Sequence, residues 1–288
     1  MERSLEVERT DAGQRLDAWL ARELGLSRGY VRRLLARERV RVNGLPAIKG
    51  SVLRAADRIE IDAFRHPDEG PIARAEFELR VLARGDGLVA VDKPAGRPTQ
   101  PLDYEETGAV LNTLLDQFPQ LQGVGEGGLM SGVVHRLDRD TSGVLVFAET
   151  TVAWQRARAE FDARRVDKLY RGLVHGAFEG VRNVSLRLDH RGPRMRAVER
   201  GGREALTRLR PLETRGESTL VEARPITGLM HQIRATLAEL GHPVVGDATY
   251  GSTAECSRHW LHAERIRIGD FEAASEPPPQ LRLREPAD

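Results

Sequence analysis

Two amphipathic helices are predicted near the start of the chain from the spacing of its apolar residues. In the first, apolar residues recur at helical intervals, and Gly25 predicts the end of the helix. The residues predicted to be buried there are Leu16, Trp19, Leu20 and Leu24. In the second, Ser27 is suited to the N-cap and four arginines project away from a buried stripe. The stripe is Val31, Leu34 and Leu35, and the arginines are Arg28, Arg32, Arg33 and Arg37.

The remaining pattern predicts strands mixed with a few helices. Val40-Arg41-Val42 leads into Asn43-Gly44, a dipeptide typical of tight hairpin turns, and residues 58–61 alternate as a half-buried strand does. Further strands are predicted at 88–91, 144–148, 170–174 and 220–223, and helices at 154–164 and 231–240. Because strands and helices do not alternate regularly, we predict an α+β fold with a mixed, largely antiparallel sheet.

A change of composition divides the chain into two predicted domains. Residues 63–75 include His66-Pro67-Asp68-Glu69-Gly70-Pro71, whose proline, glycine and charge content is typical of a linker. We therefore expect a small domain over residues 1–62 and a larger one over 76–288. A chain of 288 residues is long enough for both.

Charge is balanced overall but locally uneven. The net charge of +1 argues against a polycation that binds nucleic acid without discrimination, yet residues 22–41 contain seven arginines and two glutamates. That local excess fits either an RNA-binding surface or a solvated helix face. The single cysteine, Cys256, excludes an intrachain disulfide, and no apolar stretch is long enough for a signal peptide or a membrane span. We expect a cytoplasmic protein.

The most distinctive segment is the Arg-Asp loop, residues 135–143, with the sequence His-Arg-Leu-Asp-Arg-Asp-Thr-Ser-Gly. It lies between Gly132-Val133-Val134 and the apolar run 144–148, and so is typical of a loop between two strands. It contains two carboxylates and two guanidiniums, and burying such groups without partners is costly. The cluster is therefore either a solvated turn or a functional site.

The Arg-Asp loop resembles the His-Arg-Leu-Asp-x-x-Thr-Ser-Gly catalytic loop of the RluA-type pseudouridine synthases. Three other segments resemble motifs of that family and occur in the expected order. They are the Lys-Pro-x-Gly turn in residues 91–96, the Lys-x-Tyr motif Lys168-Leu169-Tyr170, and the arginine-bearing helix His231-Gln232-Ile233-Arg234 with residues 241–247. The resemblance implies a pseudouridine synthase fold for the larger domain.

The first 62 residues resemble an S4 domain, which is a small RNA-binding fold. The resemblance rests on helix, basic helix and short strand in that order. The matching segments are Arg15-Leu16-Asp17, Ser27-Arg28, residues 40–44 and Asp57-Arg58-Ile59. It implies that Arg28, Arg32, Arg33 and Arg37 bind RNA.

The family resemblance implies a reaction and roles for three residues. The family isomerises uridine in RNA to pseudouridine, which exchanges an N–C for a C–C glycosidic bond without gain or loss of atoms, so no cofactor and no metal are expected. Asp138 would act at the ribose, as a nucleophile on C1′ or a base at C2′. Arg234 would keep that carboxylate ionised. Tyr170 would stack on the uracil and bring its phenol near C5, where a proton must leave.

Three other residues of the Arg-Asp loop receive expected roles. Arg136 would fill the gap left when the target base swings out of its stack. His135 would order the loop. Asp140 would accept a hydrogen bond within the turn, because a spacing of two residues does not place two carboxylates across a sugar ring.

Other chemistries have weaker sequence support. Cys256, His259 and His262 have a ligand-like spacing, but no Cys-x-x-Cys partner accompanies them, so zinc is a poor alternative. Residues 123–128 are rich in glycine but lack the flanking strand and Gly-Lys-Ser/Thr of a phosphate loop, and we expect a flexible loop. Ser142 lacks the Gly-x-Ser-x-Gly elbow of hydrolases.

Together these features predict an RNA pseudouridine synthase whose partner is RNA, with no membrane and no obligatory protein partner. We expect ribosomal RNA as the substrate, with transfer RNA as the alternative. A non-catalytic S4-type RNA-binding or ribosome-assembly factor is the competing hypothesis, and the presence of Asp138, Tyr170 and Arg234 argues against it. The sequence departs from the family at Leu229-Met230, where Arg-Thr is usual, which puts the RNA contact made there in doubt.

Overall fold

The computed structural model describes residues 2–254 and 256–284 and divides into two compact units, with the boundary between Glu69 and Gly70. The sequence placed the linker at residues 63–75. Residues 63–69 belong to the first unit, in which the Tyr30 phenol donates a hydrogen bond to the carbonyl of Arg65 (2.6 Å). No helix within the described ranges is long and apolar enough to cross a bilayer.

The first unit packs two helices against a small antiparallel sheet. Its elements are β1 (Arg3–Glu6), α1 (Leu16–Leu24), α2 (Arg28–Ala36), β2 (Val40–Val42), β3 (Leu45–Pro46) and β4 (Arg58–Ile61), with the strand order β1-β4-β2-β3. Both predicted helices are confirmed. Gly25 ends α1 in the left-handed conformation (φ 66°), which glycine adopts without steric cost, and the Ser27 hydroxyl caps α2 by accepting from the Tyr30 amide.

The second unit contains a ten-stranded sheet with helices packed on it. Its strands are β5 (Val81–Gly85), β6 (Leu88–Lys93), β7 (Ser142–Ala148), β8 (Asp167–His175), β9 (Arg182–Arg191), β10 (Arg194–Ala197), β11 (Arg203–Arg215), β12 (Ser218–Pro225), β13 (Leu261–Ile268) and β14 (Phe271–Ala274). Its helices are α3 (Val110–Gln117), α4 (Thr151–Asp162) and α5 (Gln232–Glu239). The strand order is β10-β9-β11-β12-β8-β13-β7-β6-β5, and β14 pairs with β13. Every named strand pair is antiparallel except β13 with β7, so the predicted α+β class with a mixed, largely antiparallel sheet is confirmed.

The centre of the sheet supports the Arg-Asp loop. Strand β7 follows the loop directly, and every residue of β7 is buried. At its start, Gly143 has φ 110°, and a Cβ there would lie 2.1 Å from the carbonyl oxygen of Ala263 on β13. Only glycine allows the two backbones to approach this closely. The end of the Arg-Asp loop is thereby fixed against the middle of the sheet.

Candidate active site

The Arg-Asp loop alternates between the core and an open cleft. Leu137 is buried in an apolar cluster with α3 and β7, and its amide and carbonyl both bond the Thr99 hydroxyl (3.2 and 3.1 Å). With Leu137 held inward, the residues on either side, Arg136 and Asp138, line the cleft. The cleft has a volume of about 1110 Å³.

His135 orders the start of the loop. Its Nε2 accepts a hydrogen bond from the Val146 amide on β7 (3.0 Å), and its ring stacks on Phe161 of α4. Burial, together with the positive charges of Lys168 and Arg158, lowers the pKa of His135 to about 3. The imidazole is therefore neutral at physiological pH, which agrees with the expected loop-ordering role.

Lys93, in the Lys-Pro turn, anchors the other end of the loop. Its ammonium group is fully buried and donates to the carbonyls of Pro94, Arg139 and Thr141 at 3.0, 2.8 and 2.7 Å. Burial, with the charge of Arg258, lowers the pKa of Lys93 to about 7. Two of the three acceptors are loop carbonyls, so a buried lysine fixes the backbone just after Asp138.

Two histidines hold the hydroxyls that follow. His259 Nε2 lies 2.8 Å from the Thr141 hydroxyl, and His262 Nδ1 lies 2.9 Å from the Ser142 hydroxyl. Burial lowers the pKa of His259 to about 4 and also lowers that of His262. Both histidines are thus engaged with the loop, whereas Cys256 is exposed. Within residues 2–254 and 256–284, no three His, Cys, Asp or Glu side chains converge as a metal site would require.

Asp138 and Arg234 form an ion pair at the cleft, although 96 positions separate them in the chain. Arg234 Nη1 donates to Asp138 Oδ2 at 2.8 Å, while its Nε and Nη2 donate to both oxygens of Asp247 at 2.6 and 2.8 Å. Burial opposes the charge of Arg234, but the two carboxylates raise its pKa above the ordinary value. One guanidinium thus connects a deeply buried carboxylate with one that faces the cleft.

Tyr170 lies on β8 and lines the same cleft. Burial, and then the negative charge of Asp138, raises the pKa of its phenol well above the usual range. The phenol therefore stays protonated at neutral pH. Two residues earlier on the same strand, the buried Lys168 amine donates to the Thr227 carbonyl (2.9 Å), and burial lowers its pKa to about 8.

The remaining walls of the cleft are of mixed chemistry. Arg136 is exposed on one side. On another, Leu229 and Met230 occupy the turn before α5, and Met230 is 38% exposed. The side chains that replace the family's Arg-Thr therefore face the cleft and give that wall an apolar surface.

The arginines of α2 lie in the first unit and are exposed. Asp17 on α1 is fully buried and pairs with Arg15 (3.0 Å), Arg28 (3.4 Å) and Arg32 (3.6 Å). Because a single buried carboxylate is shared by these half-exposed arginines, it orients them and leaves a net positive surface. Arg33 and Arg37, the other two arginines expected to bind RNA, are also exposed.

A second basic surface was missed in the sequence. Residues 182–203, which form the hairpin of β9 and β10 and the turn after it, contain seven arginines and two acidic residues. Six of these arginines are exposed and Arg194 is half-buried. The local charge alone could have revealed the surface, since its excess of five positive charges equals that of residues 22–41. We refer to residues 182–203 as the basic hairpin.

Two other features differ from what the sequence suggested. The sequence gives Asp247 no role beyond its place in residues 241–247, but in the structure Asp247 is the bidentate partner of Arg234. The contact could not be inferred from helical spacing, because Asp247 lies beyond the end of α5, the helix that carries Arg234. The expectation for Asp140 is wrong: among the described residues, none donates a hydrogen bond to its carboxylate. The turn is held instead by the Thr141 amide, which donates to the Asp138 carbonyl (3.1 Å).

Comparison with known proteins identifies the family of this chain. Residues 87–239 match the family model of RNA pseudouridylate synthase. The chain is 34% identical over 270 residues to an uncharacterised RNA pseudouridine synthase of Synechocystis, covering 89% of this chain and 81% of that protein. It is also 34% identical over 246 residues to the ribosomal large subunit pseudouridine synthase D of Nitrosomonas europaea, covering 84% of this chain and 70% of the relative.

A solved structure gives the same result. Human RNA pseudouridylate synthase domain containing 1 superposes with a TM-score of 0.59 at 28% identity, covering 71% of this chain and 86% of the human one. The matched segment includes the Arg-Asp loop, Tyr170 and Arg234, which are the residues that meet at the cleft. The chain therefore belongs to the RNA pseudouridylate synthase family and is an RNA pseudouridine synthase.

Proposed function

We propose that this enzyme converts uridine to pseudouridine in the RNA of the large ribosomal subunit, with Asp138 as the group that acts at the ribose. The observation that carries the proposal is the Asp138–Arg234 ion pair at the wall of a cleft large enough for a nucleotide. Among the described residues, Arg234 binds two carboxylates, Asp138 and Asp247, and only Asp138 lines this cleft.

The substrate class follows from the relatives. Two proteins that are 34% and 30% identical to this chain, from Nitrosomonas europaea and Pseudomonas aeruginosa, are named ribosomal large subunit pseudouridine synthase D. Both matches cover more than four-fifths of this chain. This supports ribosomal RNA of the large subunit in preference to transfer RNA.

The reaction needs an ionised carboxylate at the sugar and a place for the uracil while it turns. Arg234 holds Asp138 at the cleft wall, because its guanidinium donates directly to one carboxylate oxygen. Tyr170 lies on the cleft wall with a protonated phenol, which suits stacking and hydrogen-bond donation to the base and does not suit proton abstraction by a phenolate. The C5 proton then leaves to another acceptor, such as a carboxylate or water in the cleft.

Binding of the RNA is assigned to the two basic surfaces and to Arg136. Extruding a base costs a few kcal/mol of stacking, and the exposed guanidinium plane of Arg136 can replace part of it. The first unit is proposed to be an S4-type RNA-binding domain, whose exposed arginines on α2 contact phosphates. In the second unit, which contains the cleft, the basic hairpin would contact RNA phosphates.

Mapping pseudouridines in the host's RNA tests the substrate and the role of Asp138 together. RNA is compared between cells that lack the gene and cells complemented with wild type, Asp138→Asn or Asp140→Asn. Asp140→Asn is a matched control, since it neutralises a carboxylate of the same loop that does not line the cleft.

We expect a large-subunit site to disappear without the gene and to return with wild type and Asp140→Asn, but not with Asp138→Asn. Loss of a site in transfer RNA instead would overturn the substrate assignment. Full restoration by Asp138→Asn would remove Asp138 from its role at the ribose.

A further inference from the structure

A chain of polar contacts runs from the basic hairpin to the second oxygen of Asp138. The backbone amide of Met195 on β10 donates to the Tyr250 phenol oxygen at 2.8 Å. His231 Nδ1 lies 3.3 Å from the same oxygen, where it can accept the phenol proton. An Nδ1 that accepts leaves the proton of a neutral imidazole on Nε2. His231 Nε2 lies 3.9 Å from Asp138 Oδ1.

The backbone at His231 holds its ring in this place. His231 precedes α5 in the left-handed conformation (φ 52°), which residues other than glycine rarely adopt, and its side chain forms part of the cleft wall. Tyr250 packs edge-on to the His231 ring, with centroids 5.8 Å apart and an interplanar angle of 80°. The Arg234 guanidinium lies 5.2 Å from the centre of the Tyr250 ring. Tyr250 therefore contacts both residues that flank Asp138, and its only hydrogen bond to either of them among the described residues is the one with His231.

We propose that His231 is a positioning residue for Asp138, donating from Nε2 to Oδ1 once RNA fills the cleft, with Tyr250 fixing the tautomer that makes this possible. The inference rests on the proposed role of Asp138. Arg234 already binds Oδ2, so the carboxylate would be held at both oxygens and aimed at the ribose. The 3.9 Å separation is longer than a hydrogen bond, and such contacts commonly shorten when substrate binds.

The surroundings of His231 favour a neutral ring, which Nδ1 needs if it is to accept a hydrogen bond from the Tyr250 phenol. The pKa of His231 is lowered from its ordinary value of 6.5, mainly by burial. Neighbouring positive charges lower this pKa further, and neighbouring carboxylates raise it. The charged or titratable groups that face the ring are Asp138 on the loop, Arg234 on α5, Asp247 before Tyr250, and His190 on β9. The Tyr250 phenol, by donating to Nδ1, also favours the neutral form.

The test compares His231→Asn, Tyr250→Phe and the double variant in the full-length protein. Asparagine tolerates the left-handed backbone but is too short to replace the imidazole. Turnover is measured as single-turnover release of label from C5 of uridine at saturating RNA, across a range of pH, with RNA affinity measured separately. Tyr30→Phe is a matched control, because it removes one tyrosine hydrogen bond within the first unit.

We expect His231→Asn to slow the step by about 10- to 100-fold with unchanged RNA affinity, which is the cost of a carboxylate that is no longer aimed. Tyr250→Phe should slow it less, because His231 is then free to adopt the other tautomer, whose Nε2 cannot donate, for part of the time. The double variant should be no slower than His231→Asn, since Tyr250 acts through His231.

Three outcomes would overturn the inference. The first is a full rate for His231→Asn, and the second is additive losses in the double variant, which would mean that Tyr250 acts through Arg234. The third is a full rate for Tyr250→Phe, which remains informative even if His231→Asn fails to fold. An active Asp138→Asn would instead overturn the proposed role of Asp138, so the two failures are distinguishable.

Discussion

The two carboxylates that share Arg234 should respond to mutation in opposite ways. Asp247 is 1% exposed and receives two hydrogen bonds from an arginine that is itself 7% exposed, so Asp247→Ala leaves a buried guanidinium without its main partner. Breaking a buried pair in this way costs about 3–5 kcal/mol. For a domain of this size, about 2–4 °C of Tm is lost per kcal/mol, so Tm should fall by about 6–20 °C.

Asp138 is 24% exposed and receives one hydrogen bond from the same arginine, which keeps both bonds to Asp247 when Asp138 is removed. Asp138→Ala should therefore cost only about 1 kcal/mol, in the range of partly exposed ion pairs. It should nevertheless abolish turnover, whereas Asp247→Ala should retain reduced turnover at temperatures well below its Tm.

Calorimetric unfolding of the full-length protein, together with release of label from C5 of uridine, measures both effects in the same preparations. A larger loss of Tm in Asp138→Ala than in Asp247→Ala would contradict this prediction. Comparable turnover by the two variants would contradict it too, because Asp138 is proposed to act at the ribose and Asp247 only to hold Arg234.

Three further predictions concern charge. Arg234→Ala should strongly reduce the rate, because Asp138 loses the guanidinium that donates to Oδ2, while Arg234→Lys should restore the charge without the fork. An unchanged single-turnover rate in Arg234→Ala would contradict a role for the ion pair. Changing Arg32, Arg33 and Arg37 together to alanine should weaken RNA binding and flatten its dependence on salt, as measured by titration at several salt concentrations, yet preserve the rate at saturating RNA. Unaltered affinity would mean that this surface is only solvated. Burial lowers the pKa of Lys93 from 10.5 to about 7, so the unfolded chain binds more protons than the folded chain between those two pH values. The free energy of unfolding of wild type relative to Lys93→Met, measured by urea denaturation, should therefore rise with pH across that interval. A constant difference would argue against the pKa shift.

Sequence alone determined the features that depend on a few neighbouring residues. The helices α1 and α2, with the stop at Gly25 and the cap at Ser27, follow from local periodicity and capping, which act over one or two turns. The Arg-Asp loop was recognisable for a similar reason, because its charged residues and its flanking apolar runs are contiguous in the chain. The mixed sheet was predictable as a class, from the irregular order of strands and helices.

Tertiary structure decided which of these residues meet. Nothing near Arg234 in sequence indicates that its guanidinium is shared between Asp138 and Asp247. Nothing near His231 indicates that the Tyr250 phenol lies within hydrogen-bond distance of its ring. Nor could the parallel pairing of β13 with β7 be inferred, although it fixes the end of the Arg-Asp loop. Local pattern determines which face of an element is buried, but the choice of partner depends on the packing of segments about a hundred residues apart. For this enzyme, the sequence therefore identified the chemical groups, and the fold determined their pairing, their protonation and their direction.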